Sequence, residues 1–256
     1  MNPERLLLIA CAVFTRELSA AIAASSRQVD VQWLPKDLHE RGGAALRAAL
    51  QERCDRADPA AHDAIALGFA LCNNGLIGLA AQRLPIVAPR SHDCIACLLG
   101  SRARYEEEFR REPGTYWFSS GWLERSAGDP LASPCAPAPG DPAWRALVER
   151  YGEDNARYLW EQLHGAAARY TRLIYIDTAC GPQERFAALA AERAHQRGLR
   201  FARLAGDPRW LQALLDGPWD EERFVVVPPG HRIVATHDQR LMAVAALADA
   251  AAHPPA

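Results

Sequence analysis

The run Leu6-Leu7-Leu8-Ile9-Ala10-Cys11-Ala12 decides the fold, because it is continuously apolar near the start of the chain. A strand with one wet face alternates apolar and polar residues, whereas a strand covered on both faces does not. We therefore expect this run to be a strand buried on both faces of a parallel sheet. The alanine-rich segment Arg16–Ser26 that follows predicts a helix.

Predicted strands and helices alternate along the rest of the chain. The further strands are expected at Val29–Leu34, Asp63–Leu71, Leu84–Ala88, Gly114–Phe118, Leu173–Thr178, Phe201–Leu204 and Phe224–Val227. The further helices are expected at Gly43–Arg56, from Ser91 through Leu99, at Ala143–Tyr170 with a break near Gly152, at Pro182–Gly198 and at Trp210–Asp216. This alternation predicts an α/β fold, a mostly parallel sheet with helices on both faces, in a single domain.

Three segments fall outside this alternation. Ser119-Ser120-Gly121-Trp122 predicts a turn, and Gly128–Pro142 is rich in proline, glycine and small residues, which is typical of a flexible loop. The alanine-rich segment Leu241–Ala251 predicts a last helix with a frayed tail. We expect one α/β domain over residues 1–240 and a C-terminal helix and tail over residues 241–256.

The overall composition excludes some classes of function. The 256 residues carry a net charge of −2 and show no basic stripe, so nucleic acid is not an expected partner. The apolar run from Leu6 to Phe14 is too short to span a membrane and lacks the cleavage site of a signal peptide. We expect a cytoplasmic protein that acts on a small molecule, away from membranes.

The cysteines carry the strongest functional signal. There are seven, an odd number for a disulfide framework, and in a reducing compartment they are better interpreted as ligands, nucleophiles or core residues. Cys11, Cys72 and Cys94 each follow a predicted strand, and ligands collect beyond the carboxyl ends of parallel strands. Three converging thiols fit an iron–sulfur cluster with one open iron, or alternatively zinc completed by nitrogen or water. The plain alternative is that each cysteine is a small buried apolar residue.

Polar residues near the three cysteines complete the predicted site. His39 follows the second strand and is either a fourth ligand or an acid–base group, and Asp93 is a second candidate for proton transfer. Asn73-Asn74-Gly75 predicts a tight turn with positive φ, whose amides could bind a substrate carboxylate or cluster sulfides. Arg90 could clamp an anionic ligand, helped by Tyr105, Arg102 and Arg104.

The segment His92-Asp93-Cys94-Ile95-Ala96-Cys97 contains a Cys-x-x-Cys spacing. A helix starting here would lower the pKa of Cys94, which makes a redox dithiol a further alternative. A single such pair is a weak motif, so participation of Cys97, His92 or Cys180 stays open. Cys54 lies in a polar helix end and Cys135 in the predicted flexible loop, and neither is expected in the site.

Several motifs together resemble an uncharacterised prokaryotic family, domain of unknown function 1638. The motifs are Leu38-His39, Gly68–Gly75, Pro89-Arg90, Asp93-Cys94-Ile95, Leu99-Gly100-Ser101, Pro113–Tyr116, Gly121-Trp122, Tyr151-Gly152 and Gly217–Asp220. The resemblance runs from about Leu6 to about Pro229. It implies that Cys11, His39, Cys72 and Cys94 belong to the family pattern and that Cys97 and Cys135 do not, and it implies no particular activity.

Three functions remain open from the sequence. The first is an enzyme whose open iron acts as a Lewis acid on a small substrate, an arrangement similar to the dispersed cysteines of quinolinate synthase and some dehydratases. The second is a zinc–thiolate enzyme for alkyl transfer, because His92-x-Cys94 followed by Cys180 resembles the ligand spacing of cobalamin-independent methyl transfer enzymes. The third is a non-catalytic protein that binds a metal or a corrinoid.

Overall fold

The computed structural model describes residues 4–39, 41–126, 142–164, 170–236 and 238–248. Its strands are β1 (Arg5–Cys11), β2 (Gln28–Leu34), β3 (Ala64–Gly68), β4 (Ala80–Ala81), β5 (Ile86–Pro89), β6 (Thr115–Phe118), β7 (Arg172–Asp177), β8 (Arg200–Ala205), β9 (Phe224–Val227), β10 (His231–Ala235) and β11 (Met242–Ala246). Its α-helices are α1 (Thr15–Ala24), α2 (Gly43–Arg56), α3 (Cys94–Leu99), α4 (Arg102–Arg111), α5 (Ser120–Arg125), α6 (Pro142–Tyr151), α7 (Glu153–His164), α8 (Gln183–Gln196) and α9 (Arg209–Asp216). Short 3-10 helices lie at Ala12–Phe14 and Lys36–His39.

The largest sheet confirms the interpretation of the apolar run at residues 6–12. Its strand order is β2-β1-β3-β5-β9, in which β1 runs parallel to β2 and β3, β3 runs parallel to β5, and β9 is antiparallel. Every residue of β1 after Arg5 is buried, as a central strand covered on both faces requires. The α/β class with a parallel-rich sheet is therefore confirmed.

A second parallel sheet has the order β6-β7-β8. Successive residues of a strand point to opposite faces, and β7 uses both faces for packing. Leu173 and Tyr175 join a core with Phe118 and Phe186, whereas Ile174 and Ile176 join the main core. The strand β7 is thus shared between two hydrophobic cores.

The third sheet corrects the prediction for the C-terminal segment. Its order is β11-β10-β4, and it is antiparallel throughout. Leu241–Ala251 was predicted as a helix, but Met242–Ala246 is a strand in which Val244 pairs with Ile233 of β10. Alanine has the highest helix propensity, but propensity is a small effect, and pairing with a neighbouring strand overrides it here.

The segment Ser119–Trp122 is also corrected, from a turn to the start of α5. The Ser119 side chain accepts a hydrogen bond from the Trp122 amide at 3.3 Å and so caps the helix. Serine is favoured both in turns and at helix N-caps, so the two readings share one sequence signal. The expected break near Gly152 is confirmed between α6 and α7.

The predicted flexible loop and the expected absence of a membrane span can be compared with the structure only over the described residues. Of the predicted flexible loop Gly128–Pro142, only Pro142 is described, as the first residue of α6. No helix within the described ranges is long and apolar enough to cross a membrane.

Candidate functional site

The order of the main sheet places a topological switch point between β1 and β3. From β1 the chain pairs first with β2 on one side and later with β3 on the other. Open parallel sheets bind ligands in the crevice beyond the carboxyl ends of two such strands. Cys11 is the last residue of β1, and Cys72 lies four residues beyond the end of β3. Both cysteines are buried.

Cys72 starts an unusual left-handed turn. The φ angles of Cys72, Asn73 and Asn74 are 41°, 54° and 60°, a region that residues other than glycine rarely adopt. Each such residue costs on the order of 1 kcal/mol or more, so the surrounding structure must hold the turn. The amides of Leu71 and Cys72 donate to the carbonyls of Ser91 and His92 at 2.8 and 3.0 Å. The strained turn is thereby tied to the segment that carries Cys94.

The predicted positive φ within Asn73-Asn74-Gly75 is confirmed for the two asparagines, but Cys72 takes the third left-handed place. Gly75 is needed for a different reason, since a Cβ there would lie 2.5 Å from Cδ2 of Leu46. The residues Asn73 and Asn74 are exposed. Their predicted contact with a substrate or a cluster stays a prediction.

Cys94 is the first residue of α3 and is only partly buried. The indole N–H of Trp122 in α5 donates to Sγ of Cys94 at 3.3 Å. The same helix packs closely on the segment after Cys11, because a Cβ on Gly121 would lie 1.8 Å from the carbonyl oxygen of Val13. Helix α5 therefore connects the end of β1 with Cys94.

The three thiols affect one another electrostatically. Burial raises the pKa of Cys11 to about 11, although the nearby charge of Lys36 lowers it in part. Burial also raises the pKa of Cys72, and a charge on Cys11 raises it further. The pKa of Cys94 is raised by burial first and then by charges on Asp93, Cys72 and Cys11. The three thiols thus influence one another, and burial favours the protonated form of each.

The expectation that a helix start lowers the pKa of Cys94 is wrong. Helix α3 has six residues, and the side chain of Asp93 accepts a hydrogen bond from the Ile95 amide at 2.9 Å. That carboxyl satisfies one of the free amides and would repel a thiolate. Removal from water disfavours the thiolate more than the helix end favours it.

Asp93 has a second partner in Tyr105 of α4, whose hydroxyl forms a hydrogen bond with its carboxyl group. Burial raises the pKa of Asp93 despite this bond and the bonds from the backbone of α3. A carboxyl group with a raised pKa can hold a proton closer to neutral pH than an exposed aspartate does. This environment suits the predicted role in proton transfer.

Arg90 has a structural position that differs from the predicted ligand clamp. Its guanidinium is buried, and its Nε donates to the carbonyl of Phe224 at 2.9 Å. Its Nη1 donates to the carbonyls of Arg240, at 2.9 Å, and of Met242. These bonds attach the end of β5 to β9 and β11, so we interpret Arg90 as a structural residue.

The remaining candidates separate into distinct places. His39 ends a 3-10 helix, but its side chain lies outside the described part of the structure, as does Cys135. Cys97 is fully buried in the main core near Cys72. Cys180 follows β7, where burial and the charge of Glu17 raise its pKa.

The structure also gives the surroundings of His92 and Cys54. His92 is exposed, and its carbonyl rather than its ring contacts the Cys72 segment. Cys54 was placed in a polar helix end, but it is buried in the main core, where burial raises its pKa to about 12.

The sequence reasoning missed Trp122 and Lys36. The Nζ of Lys36 lies 4.4 Å from the ring centroid of Trp122, a cation–π contact, and its charge reaches Cys11. A signal was available, because Lys36 is the only lysine among 29 lysine and arginine residues in the sequence. Arginine and lysine are not interchangeable where a compact ammonium group is needed.

The side chains are not arranged as a finished metal site. Within the described ranges, no group of three or more His, Cys, Asp or Glu residues is placed to hold a metal ion. The three thiols therefore influence one another's pKa without forming such a group.

The fold and the site define an α/β protein with a thiol-rich switch point. The chain belongs to the family described as Protein of unknown function (DUF1638), whose profile matches residues 33–215. That range includes Cys72 and Cys94 and leaves out Cys11 and the motif Gly217–Asp220. No curated protein and no solved structure gives a significant match to the chain.

Proposed function

We propose that Cys11, Cys72 and Cys94 bind a metal centre that acts on a small substrate, with an iron–sulfur cluster as the first choice and zinc as the alternative. The main support is that the three cysteines follow separate strands around a topological switch point and that charges on Cys11 and Cys72 raise the pKa of Cys94. Three thiolates are a common ligand set for both kinds of centre.

The protein residues around the thiols have definable tasks in this proposal. The strained turn at Cys72–Asn74 sets the direction of one thiol, and strain of this kind is concentrated at functional sites. The hydrogen bond from Trp122 to Cys94 would tune a bound centre, because hydrogen bonds to ligand sulfurs shift its potential. When bound, an open iron or zinc supplies Lewis acidity.

Asp93 is the proposed proton donor. Its carboxyl group is oriented by Tyr105 and by the backbone of α3, and it adjoins Cys94 in the sequence. Its raised pKa keeps part of the population protonated at a higher pH than usual. The side chain of His39 is not described, so its predicted acid–base role stays a prediction.

The alternative zinc set of His92, Cys94 and Cys180 has weaker support. The ring of His92 is exposed, and the pKa of Cys180 responds to Glu17 and Arg16 rather than to the other candidate thiols. A zinc ion held by Cys11, Cys72 and Cys94 is the better form of that alternative. We also infer one continuous domain, because β7 contributes to both cores.

The test is anaerobic purification followed by absorption spectroscopy and metal analysis. Broad brown absorbance would support the cluster, and a colourless protein with one bound zinc would support the alternative. Single Cys11→Ala, Cys72→Ala and Cys94→Ala variants should each lose most of the metal.

Cys54→Ala is the matched control, because Cys54 is buried like Cys11 and Cys72 but lies in α2. It should keep the metal of the unmodified protein. A folded, metal-free protein after reconstitution with iron and sulfide, and with zinc, would contradict the proposal.

A further inference from the structure

A cleft of about 460 Å³ opens between the start of α3 and one face of α4. Asp93 lines it on one side, and α4 contributes Arg102, Tyr105, Glu106, Phe109 and Arg110. Its volume lies in the range of small-molecule sites. The cleft therefore reaches the residue next to Cys94 without including the cysteine itself.

We propose that this cleft is the substrate pocket of the thiol site and binds a small carboxylic acid with a flat, apolar body. That the acid is a substrate rests on the proposed function. That the cleft binds such an acid does not depend on it. Three features of the cleft support this binding. They are the geometry of α4, the position of its two aromatic residues and the charges at the rim.

The lining residues of α4 recur at helical spacing. Positions 102, 105, 106, 109 and 110 follow one another in steps of three, one, three and one. This spacing places them on one face of the helix. The helix is otherwise strongly charged, and both of its aromatic residues lie on this face. Tyr105 also packs against the main core, whereas Phe109 on the same face is half exposed at the cleft.

Phe109 is the clearest sign of an apolar ligand. It is 50% exposed, among the largest exposed fractions of the apolar side chains in the described ranges. Tyr105 beside it is fixed by an edge-to-face contact with Trp117, with 5.7 Å between ring centroids, and by its hydrogen bond with Asp93. A flat body placed against Phe109 and Tyr105 would remove the exposed ring from water.

The two arginines at the rim favour an anion at the Arg102 end of the cleft. Arg102 and Arg110 contribute two positive charges, whereas Glu106 and Asp93 are carboxyl groups and His92 also lines the cleft. The Asp93 carboxyl is already hydrogen-bonded to Tyr105. Nη1 of Arg102 donates to the carbonyl of Gln239 at 2.5 Å, which holds the guanidinium in place while leaving further N–H groups for a ligand. Arg102 is also the first residue of a ten-residue helix, whose N-terminal end favours negative charge.

The spacing on α4 sets the size of the ligand. Phe109 lies seven positions after Arg102, which corresponds to about 10 Å along the helix. An acid whose carboxylate contacts Arg102 and whose ring contacts Phe109 is therefore a compact, single-ring molecule. A carboxylate matches the planar guanidinium better than a neutral amide does.

The test uses benzoate as the probe and benzamide as its uncharged isostere, with binding followed by calorimetry on the full chain. Benzoate should bind at least tenfold more tightly than benzamide. Arg102→Gln and Phe109→Ala should each weaken benzoate binding at least fivefold, and Arg102→Gln should also abolish the preference over benzamide.

Arg111→Gln is the control, because Arg111 is on the same helix but pairs with Glu107 and Glu108 outside the cleft. It should bind benzoate like the unmodified chain. Absence of benzoate binding, or equal binding by all three variants, would overturn the pocket. Metal analysis of the same samples distinguishes the two proposals. A protein that binds benzoate but holds no metal would overturn only the metal site.

Discussion

Replacing Gly121 by alanine tests the packing that connects β1 with Cys94. The added Cβ would lie 1.8 Å from the carbonyl oxygen of Val13, whereas real Cβ contacts below 3.0 Å are essentially never seen. Helix α5 must therefore retreat by about 1.2 Å, the difference between those two distances. Such a shift also lengthens the 3.3 Å contact between Trp122 and Cys94 beyond hydrogen-bonding range.

Two opposing effects determine the expected change in stability. Alanine in place of glycine favours a helix by about 1 kcal/mol. Overpacking a well-filled site costs about 1–3 kcal/mol, and the upper end applies because a backbone carbonyl cannot move aside by changing rotamer. The expected net loss is about 2 kcal/mol, which corresponds to a fall in Tm of about 4–8 °C for a chain of this size.

Urea and thermal unfolding, followed by far-UV circular dichroism, measure this loss. Ser120→Ala is the matched control, since Ser120 is the preceding residue of the same helix and its buried hydroxyl has no hydrogen-bond partner among the described residues. Because no such bond is lost, this variant should not be less stable than the unmodified chain by more than about 0.5 kcal/mol. A Gly121→Ala protein as stable as the unmodified chain would refute the close packing of α5 on Val13.

Titration of buried groups gives two more expected outcomes. Burial raises the pKa of Glu17, so its contribution to stability is present below its ordinary pKa of about 4.5 and is lost as pH rises through the higher folded value. Glu17→Gln should therefore be more stabilising at pH 7 than at pH 4 in urea unfolding, and a pH-independent difference would contradict the burial argument. The raised pKa values of Cys11, Cys72 and Cys94 mean that a metal must displace their protons, so zinc affinity in chelator competition should rise between pH 6 and pH 8. Constant affinity over that range would show that these thiols are not the ligands.

The parts of the fold that followed from the sequence are those in which local pattern and tertiary environment agree. After Arg5, every residue of strand β1 is apolar and buried. Helix α2 was predicted with its observed ends, Gly43 and Arg56. Strand β11 was missed because its alanines suit a helix, and only pairing with β10 makes it a strand. The two strands are close in the chain, but β10 was not among the predicted strands, so the sequence offered no partner for β11.

The candidate site shows the same division. The positions of Cys11 and Cys72 beyond β1 and β3, and of Cys94 after β5, could be predicted because strand ends can be located from the sequence. Their role as ligands stays a prediction. The contact of Trp122 with Cys94 depends on how α5 packs, which sequence spacing does not reveal. The bonds of Arg90 to main-chain carbonyls could not be predicted, because an arginine that binds a ligand and one that binds carbonyls look the same in the sequence.

The bonds of Arg90 make the far end of the chain an anchor for the candidate site. Its guanidinium depends on carbonyls of Arg240 and Met242, and it directly precedes Ser91, whose carbonyl holds the turn leading into Cys72. A protease that cut before Arg240 would spare every candidate cysteine yet leave a buried cation without two of its acceptors. The domain boundary expected at residue 240 would thus be a vulnerable place to truncate the protein, because trimming there would loosen the thiol-bearing loops from a distance.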